Sequence, residues 1–223
     1  KLPYLNRKGS RGKLALNRRQ ISAAMIATRE SGMQLIVHCN GERAQESMCK
    51  VALELGDPPT GQMINRMEHA GNFVSDPGTR ELWRKAGLLP APQAVFLYTL
   101  GDYFPVYMGD YARNGRFSFR TMLDEGWELP CSSDASGSEV RHINPLFGIW
   151  CAVKRQTFRG EVIDPEESVS VDEALRMHTI YPAVALGEQG SKGSIESGKL
   201  ADVVVLNKDP RGLSGDDILD VKV

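Results

Sequence analysis

The sequence predicts an α/β fold in which short apolar strands alternate with amphipathic helices. Three observations support it: strand-like and helical patterns repeat in order, glycines follow the helical segments, and the composition is that of a globular protein, with 41% hydrophobic and 25% charged residues. Repeated strand–helix units indicate a parallel sheet, either doubly wound or closed into a barrel. No GxGxxG or P-loop motif opens a helix, which argues against a Rossmann nucleotide site.

The first strand–helix unit follows an N-terminal helix. That helix is predicted from about Gln20 to Ser31, with Gly32 as its stop. The continuous apolar run Leu35–Val37 then predicts a parallel strand that is buried on both faces. A second helix is predicted over Glu42 to Leu55 and ends at Gly56.

The next segments continue the alternation. A strand is predicted over Met63 to Gly71, and a helix follows with Asp76 as its cap, Pro77 in its first turn and Gly87 as its end. Further along lie a strand, a long connecting loop, a short helix, a fourth strand and two helices, the last with a capping box at Ser170 and Glu173. These six segments are Leu88–Leu97, Leu100–Asn114, Phe119–Glu125, Trp127–Ala135, Asn144–Thr157 and the helix that Ser170 caps.

The character of the sequence changes after Gly187. A glycine-rich turn precedes the β-branched run Val203–Leu206, which predicts a strand of a different, β-rich subdomain. We therefore expect a strand–helix domain over residues 1–187 and a β-rich segment over residues 188–223.

Composition and charge exclude several classes of partner. The chain has 27 Lys and Arg against 28 Asp and Glu, with no basic cluster that would bind nucleic acid. No apolar stretch approaches the ~18–20 residues that span a bilayer, and the basic N-terminal segment lacks the apolar core of a secretory signal. The cysteines form no CxxC pair, so we expect buried, reduced thiols in a cytoplasmic protein rather than a zinc–thiolate site. They are Cys39, Cys49, Cys131 and Cys151.

Three polar residues occupy equivalent positions at predicted strand ends. His69 follows His38 by 31 residues, and Asp134 follows His69 by 65, which correspond to one and two strand–helix units. Parallel strands in register bring such residues to one rim of the sheet, where barrel enzymes build their active sites. Two imidazoles and a carboxylate form a plausible site for zinc or a similar ion, which activates water. A carboxylate that touches this water can transfer its proton to a leaving amine.

Other interpretations of these residues stay open. A single histidine at a strand end is commonly a hydrogen-bonded structural residue, and Asp134 has the position of a turn cap. His178 lies in a helical pattern and is expected to pack, while His142 lies in a glycine- and serine-rich loop, so we predict neither as a ligand. Ser132 and Ser133 adjoin Asp134, but no GxSxG motif supports a serine nucleophile.

Five segments, in this order, resemble the amidohydrolase superfamily. The likeness covers about residues 12–210 and is greatest to the amidohydrolase-3 group, which includes N-substituted formamide deformylases. The last of the five is the most specific. They are VHCNGERA, RMEHAG, LPCSSDA, NPLFGIWCAVKRQ and KGSIESGKLADVVVLNKDP.

This resemblance implies a fold, a cofactor and site residues. The fold would be the C-terminal part of a (β/α)8 metal-dependent hydrolase barrel, strands five to eight, plus a strand of a small β-sandwich. His38 and His69 would ligate a divalent metal, with zinc as the expected ion, and Asp134 would be both ligand and general base. Arg43 and Gln93 would lie on the substrate side. The substrate would be a small molecule with a non-peptide amide bond.

The chain also departs from the family pattern. Gly41-Glu42-Arg43 stands where members have Gly-Asp-Arg, and Ser132 to Ser136 stands where they have Gly-Ser-Asp-Ala-Pro. No HxH pair occurs, so the chain is expected to be a fragment that lacks the N-terminal HxH half. An open barrel exposes strand edges and favours association, for example as a homo-oligomer. The alternatives are a non-catalytic remnant that acts as a binding or assembly module, and a hydrolase of esters or lactones.

Overall fold

Three short parallel strands form the sheet of this chain. They are β1 (Ile36–His38), β2 (Arg66–Glu68) and β3 (Leu89–Ala91), in the order β1-β2-β3. The computed structural model describes residues 4–5, 7, 9–56, 63–73, 76–109, 115–135, 139–213 and 215–223. The parallel sheet is confirmed, with strands shorter than predicted.

The register of the sheet brings three chain segments to one edge. His38 pairs with Glu68, and Glu68 pairs with Ala91, so all three strands end at the same level. The residues that follow Glu68 and Ala91 therefore emerge beside His38, at the carboxyl edge of the sheet.

Helices connect and cover the strands, and most begin and end where the sequence indicates. Asn17 caps the first with a capping box to Gln20, and Ser170 caps the eighth with Glu173. None of the described helices is long and apolar enough to cross a membrane. The α-helices are α1 (Arg18–Ser31), α2 (Glu42–Leu55), α3 (Pro77–Lys85), α4 (Val95–Leu100), α5 (Phe104–Met108), α6 (Phe119–Asp124), α7 (Pro145–Lys154), α8 (Val171–His178) and α9 (Ile180–Ala185).

Strand β1 is not buried on both faces, and this prediction is wrong. The Ile36 side chain is 48% exposed, and only Val37 is partly buried. Within the described residues β1 pairs with β2 alone, so it is the edge strand of the sheet. An apolar run is buried on both faces only where other segments pack against both of them.

The segment Trp127–Ala135 forms no strand, although it lies next to β3. One backbone hydrogen bond joins them, from the Ser132 N–H to the Pro92 carbonyl at 3.3 Å. A β-ladder needs a backbone N–H donor at every second residue on the side that faces the partner strand. On this side β3 and its extension carry Pro90 and Pro92, which have no N–H. The segment Trp127–Ala135 therefore runs beside β3 without forming a ladder with it.

Three further segments differ from the sequence prediction. Val203–Leu206 forms no strand, and Val205 is 83% exposed, because no described segment pairs with this run. The predicted strand at Leu88–Leu97 is shorter, since α4 begins at Val95. The predicted loop Leu100–Asn114 contains a 3₁₀ turn and α5, while residues 110–114 lie outside the described part.

All four cysteines are buried and free, as predicted. Burial raises the pKa of Cys39, Cys49 and Cys131 to about 12, so these thiols stay protonated at neutral pH. They act as small apolar side chains of the core.

A buried arginine joins chain segments that lie outside the α-helices. The Arg155 guanidinium donates to the carbonyls of Ile163 at 2.7 Å, Phe117 at 3.0 Å, Arg116 at 2.7 Å and Glu167 at 3.3 Å. The side chain is fully buried, and burial lowers its pKa to about 10. Arg155 thus supplies a donor to each of these four carbonyls, of which Phe117 also accepts from the Phe119 N–H at 2.7 Å.

Gly148 of α7 packs closely against His178 of α8. A Cβ placed on Gly148 would lie 2.5 Å from Nε2 of His178, whose Nδ1 donates to the Ala174 carbonyl at 2.8 Å. We expect Gly148→Ala to destabilise the chain by about 1–3 kcal/mol, because overpacking outweighs the ~1 kcal/mol gain in helix propensity. Thermal unfolding checks this.

A control variant and a double variant test whether the contact with His178 causes the loss of stability in Gly148→Ala. Gly190 has open space around it, so Gly190→Ala should change stability little. Adding His178→Ala to Gly148→Ala should recover part of the loss, as a double-mutant cycle measures. A Gly148→Ala variant as stable as the parent would contradict the close contact.

Candidate metal centre

Two histidines lie side by side at the carboxyl edge of the sheet. His38 is the last residue of β1 and is exposed, while His69 directly follows β2 and is 8% exposed. Their ring centroids are 4.5 Å apart, with an angle of 64° between the planes. The parallel register explains this proximity, since it aligns the ends of the two strands.

The backbone turns sharply at His69. Its φ is 71°, in the left-handed region that non-glycine residues seldom adopt. The His69 N–H donates to the Ala91 carbonyl at 3.0 Å, and the Asn72 N–H returns to the His69 carbonyl at 3.1 Å. This conformation is typical of functional sites, where the surrounding structure holds a strained residue in place.

Buried amides fix the His69 ring. Its Nδ1 lies 2.7 Å from Oε1 of Gln93, which also accepts from Nδ2 of Asn72 at 2.6 Å. The Gln93 Nε2 donates to the Ala91 carbonyl at 2.9 Å and to Oγ of Ser132 at 2.8 Å. Because the Gln93 side chain is 0% exposed, its position favours an orienting role over the predicted substrate contact.

Asp134 also has a left-handed backbone, with a φ of 43°, and its side chain is exposed. Two residues before it, Ser132 holds the segment to the end of β3 through Pro92 and Gln93. The segment that carries Asp134 is thus fixed at the same edge as His69. Its place as a third ligand stays a prediction.

His142 lies closer to this region than the sequence indicates. It is 1% exposed, and its ring lies 5.9 Å from that of Phe96 and 6.2 Å from that of Phe147. Burial lowers the pKa of His142, while the carboxylates of Glu139 and Asp134 act in the opposite direction. Phe96 also stacks on His69, at 6.0 Å, so one phenyl ring separates the two imidazoles.

Arg43 lies in the first turn of α2 and is exposed. Its Nη1 donates to the carbonyls of Arg11 at 3.1 Å and Gly12 at 3.2 Å. These bonds hold the N-terminal segment near the loop that follows His38. A contact between Arg43 and substrate stays a prediction.

Two amides near the site were not foreseen from the sequence. Asn72 contacts Gln93, and Gln45 donates to the carbonyls of Cys39 at 2.9 Å and Asn40 at 3.3 Å, which fixes the loop after His38. The only sequence signal for these two residues was an amide side chain a few positions after a strand. Amides on the protein surface show the same pattern, so the signal does not distinguish a site residue.

The described residues do not contain a complete metal cluster. No group of three or more His, Cys, Asp or Glu side chains among them is arranged to hold an ion. The paired imidazoles at 4.5 Å, one of them with Nδ1 already engaged, nevertheless fit two nitrogen ligands of a metal.

Comparison with known proteins supplies the family. A family model described as an amidohydrolase family, the amidohydrolase-3 group, matches residues 3–223. The chain belongs to this amidohydrolase family. This confirms the resemblance seen in the five sequence segments.

Two individual proteins are similar in sequence to this amidohydrolase chain. The N-substituted formamide deformylase of Arthrobacter pascens is 31% identical over 188 residues, which are 83% of this chain and 34% of that protein. The protein YtcJ of Bacillus subtilis (strain 168) is 27% identical over 216 residues, 94% of this chain and 39% of that protein. The chain thus spans between a third and two fifths of the length of these relatives.

A solved structure shares the fold. The crystal structure of an uncharacterized metal-dependent hydrolase from Pyrococcus horikoshii OT3 matches with a TM-score of 0.80 at 20% identity. The match covers 96% of this chain and 42% of that chain.

Proposed function

We propose that this amidohydrolase chain contributes part of a metal centre that hydrolyses a non-peptide amide bond. The pair His38 and His69, 4.5 Å apart at the carboxyl edge of a parallel sheet, is the observation that carries the proposal. Carboxyl edges are where α/β enzymes place catalytic residues.

Each residue has a defined part in this proposal. His38 and His69 hold the ion through ring nitrogens, and Asp134 adds a carboxylate oxygen. When bound, a divalent metal such as zinc lowers the pKa of its water ligand and polarises the scissile carbonyl. The Asp134 carboxylate accepts the proton of the attacking water and delivers it to the leaving amine. Arg43 is proposed to contact substrate.

The substrate class follows from a relative. The Arthrobacter pascens protein is named for N-substituted formamides, and it is 31% identical to this chain. We therefore propose a small N-substituted amide, with a formamide as the first compound to test.

The fold around the site is proposed to be part of a larger barrel. Residues 1–187 would correspond to strands five to eight, and residues 188–223 to a small β-sandwich. The match to 42% of the Pyrococcus horikoshii hydrolase supports this, as does the uncovered edge of β1. The remaining metal ligands would come from the rest of a longer protein. Free buried cysteines support a cytoplasmic location.

A binding or assembly module is the second candidate. It is favoured by the lack of a three-ligand cluster in the described residues. Such a module would associate with another copy or another chain through the exposed edge of β1.

Zinc content and turnover distinguish the two candidates. The gene product that contains this chain at full length is expected to hold zinc stoichiometrically, to hydrolyse an N-substituted formamide, and to lose turnover on chelation. The isolated chain is expected to bind zinc weakly and to turn over slowly. A full-length product with neither zinc nor hydrolysis of amides would leave the module as the better candidate.

A further inference from the structure

The orientation of the Gln93 amide is determined by its partners. The Gln93 backbone N–H donates to Oδ1 of Asn72 at 2.8 Å, so the other atom of the Asn72 amide, Nδ2, must be a donor. That donor lies 2.6 Å from Gln93, where it requires the oxygen Oε1. At the other end of the amide, the Ala91 carbonyl can only accept, which requires Nε2 there. Both constraints give the same orientation.

This orientation determines which nitrogen of His69 carries the hydrogen. Oε1 of Gln93 can only accept, and Nδ1 of His69 lies 2.7 Å from it. Nδ1 therefore carries the hydrogen, and in the neutral ring Nε2 has the lone pair. A histidine side chain in water prefers the opposite tautomer, with the hydrogen on Nε2, so the protein imposes this one.

We propose that Gln93 is a positioning residue that locks His69 in the Nδ1–H tautomer and leaves Nε2 as its metal-binding atom. The tautomer follows from hydrogen bonding alone, whereas the metal part rests on the proposed function. Gln93 is fully buried, so it acts through His69 and does not reach substrate. Partners of this kind orient a ligating histidine and raise its basicity.

The same amide connects His69 with the segment that carries Asp134. Its Nε2 donates to Oγ of Ser132 at 2.8 Å, two residues before Asp134. The Gln93 side chain thus sets the ring of His69, which follows β2, and one anchor of the segment that carries Asp134. Loss of Gln93 should disturb both, while loss of Ser132 should disturb the second alone.

Nitrogen NMR of the four histidine rings tests the tautomer in this chain. Protonated and unprotonated ring nitrogens resonate far apart, and a His69→Gln spectrum assigns the His69 signals. At a pH where the ring is neutral, we expect a proton on Nδ1 and none on Nε2. A neutral His69 with its proton on Nε2 would overturn the proposal without any further variant.

Variants of similar size identify Gln93 as the cause. Gln93→Met keeps the volume but removes the acceptor, so the Nε2–H tautomer should become populated. Gln93→Glu keeps an acceptor and should keep the proton on Nδ1. Ser132→Ala is the matched control, because Ala91 still holds the amide, and it should leave the tautomer unchanged. An unchanged tautomer in folded Gln93→Met would also overturn the proposal.

Zinc titration separates this proposal from the proposed function. If His69 ligates zinc, Gln93→Met should weaken zinc affinity by about 10–100-fold. A locked tautomer without zinc binding by the full-length product would leave the role of Gln93 intact and would refute the metal centre.

Discussion

Replacing Arg155 by methionine is expected to destabilise the chain by about 3–5 kcal/mol, comparable to removing one partner of a buried ion pair. Four backbone carbonyls accept from this guanidinium, and within the described residues Phe117 alone of them also accepts from a backbone N–H, that of Phe119. Each of the other carbonyls that is left without a donor costs about 1–3 kcal/mol. Domains are stable by only about 5–15 kcal/mol, so the variant should unfold at a much lower temperature or denaturant concentration. Circular dichroism during urea unfolding measures the change.

Two companion variants test the explanation. Arg155→Lys should be intermediate, because one ammonium cannot reach carbonyls on three loops as a planar guanidinium does. Arg176→Met removes an exposed arginine from α8 and should change stability little. If Arg155→Met lost less than about 1 kcal/mol, the carbonyls would have to find other donors, and the central role of Arg155 would be wrong.

Replacing His69 by alanine in the full-length product is expected to remove the metal and to lower hydrolysis by more than 100-fold. Loss of a supporting residue alone reduces metal affinity or activity by about 10–100-fold, and loss of a ligand should exceed this. His38→Ala and Asp134→Ala should have effects of the same order. Zinc per folded molecule and turnover of an N-substituted formamide are the measurements.

His178 provides the control for this prediction. It lies against Gly148 and its Nδ1 donates to the Ala174 carbonyl, so His178→Gln should retain zinc even if stability changes. Full zinc content and turnover in both His38→Ala and His69→Ala would eliminate these histidines as ligands.

Local signals predicted most helices correctly. Gly41 and Gly56 flank α2 over the range expected, and the caps at Asp76 and Ser170 lie where the sequence places them. These signals depend on a few neighbouring residues, so they survive in any tertiary context. The pairing of His38 with His69 was also predictable, because strand ends in a parallel sheet align.

Features that depend on distant partners were not predictable. Val203–Leu206 has a strand-forming composition, but a strand also requires a neighbour, which the described residues do not supply. The predicted burial of Ile36 was wrong for the same reason, because no described segment covers that side of β1. The role of Gln93 depends on tertiary contacts with Asn72, Ala91 and Ser132. The spacing of these residues in the sequence does not predict such contacts.

The prolines of β3 make the two ends of the sheet chemically unequal. Beyond β3, Pro90 and Pro92 offer carbonyls but no amide hydrogens, so an incoming strand could form at most half of a ladder. Beyond β1, the N–H and carbonyl groups of Ile36 and His38 point away from β2, because the alternate residues Leu35 and Cys39 bond to β2. A further strand, from the same polypeptide or from another, can therefore form a full ladder at the β1 edge but not at the β3 edge.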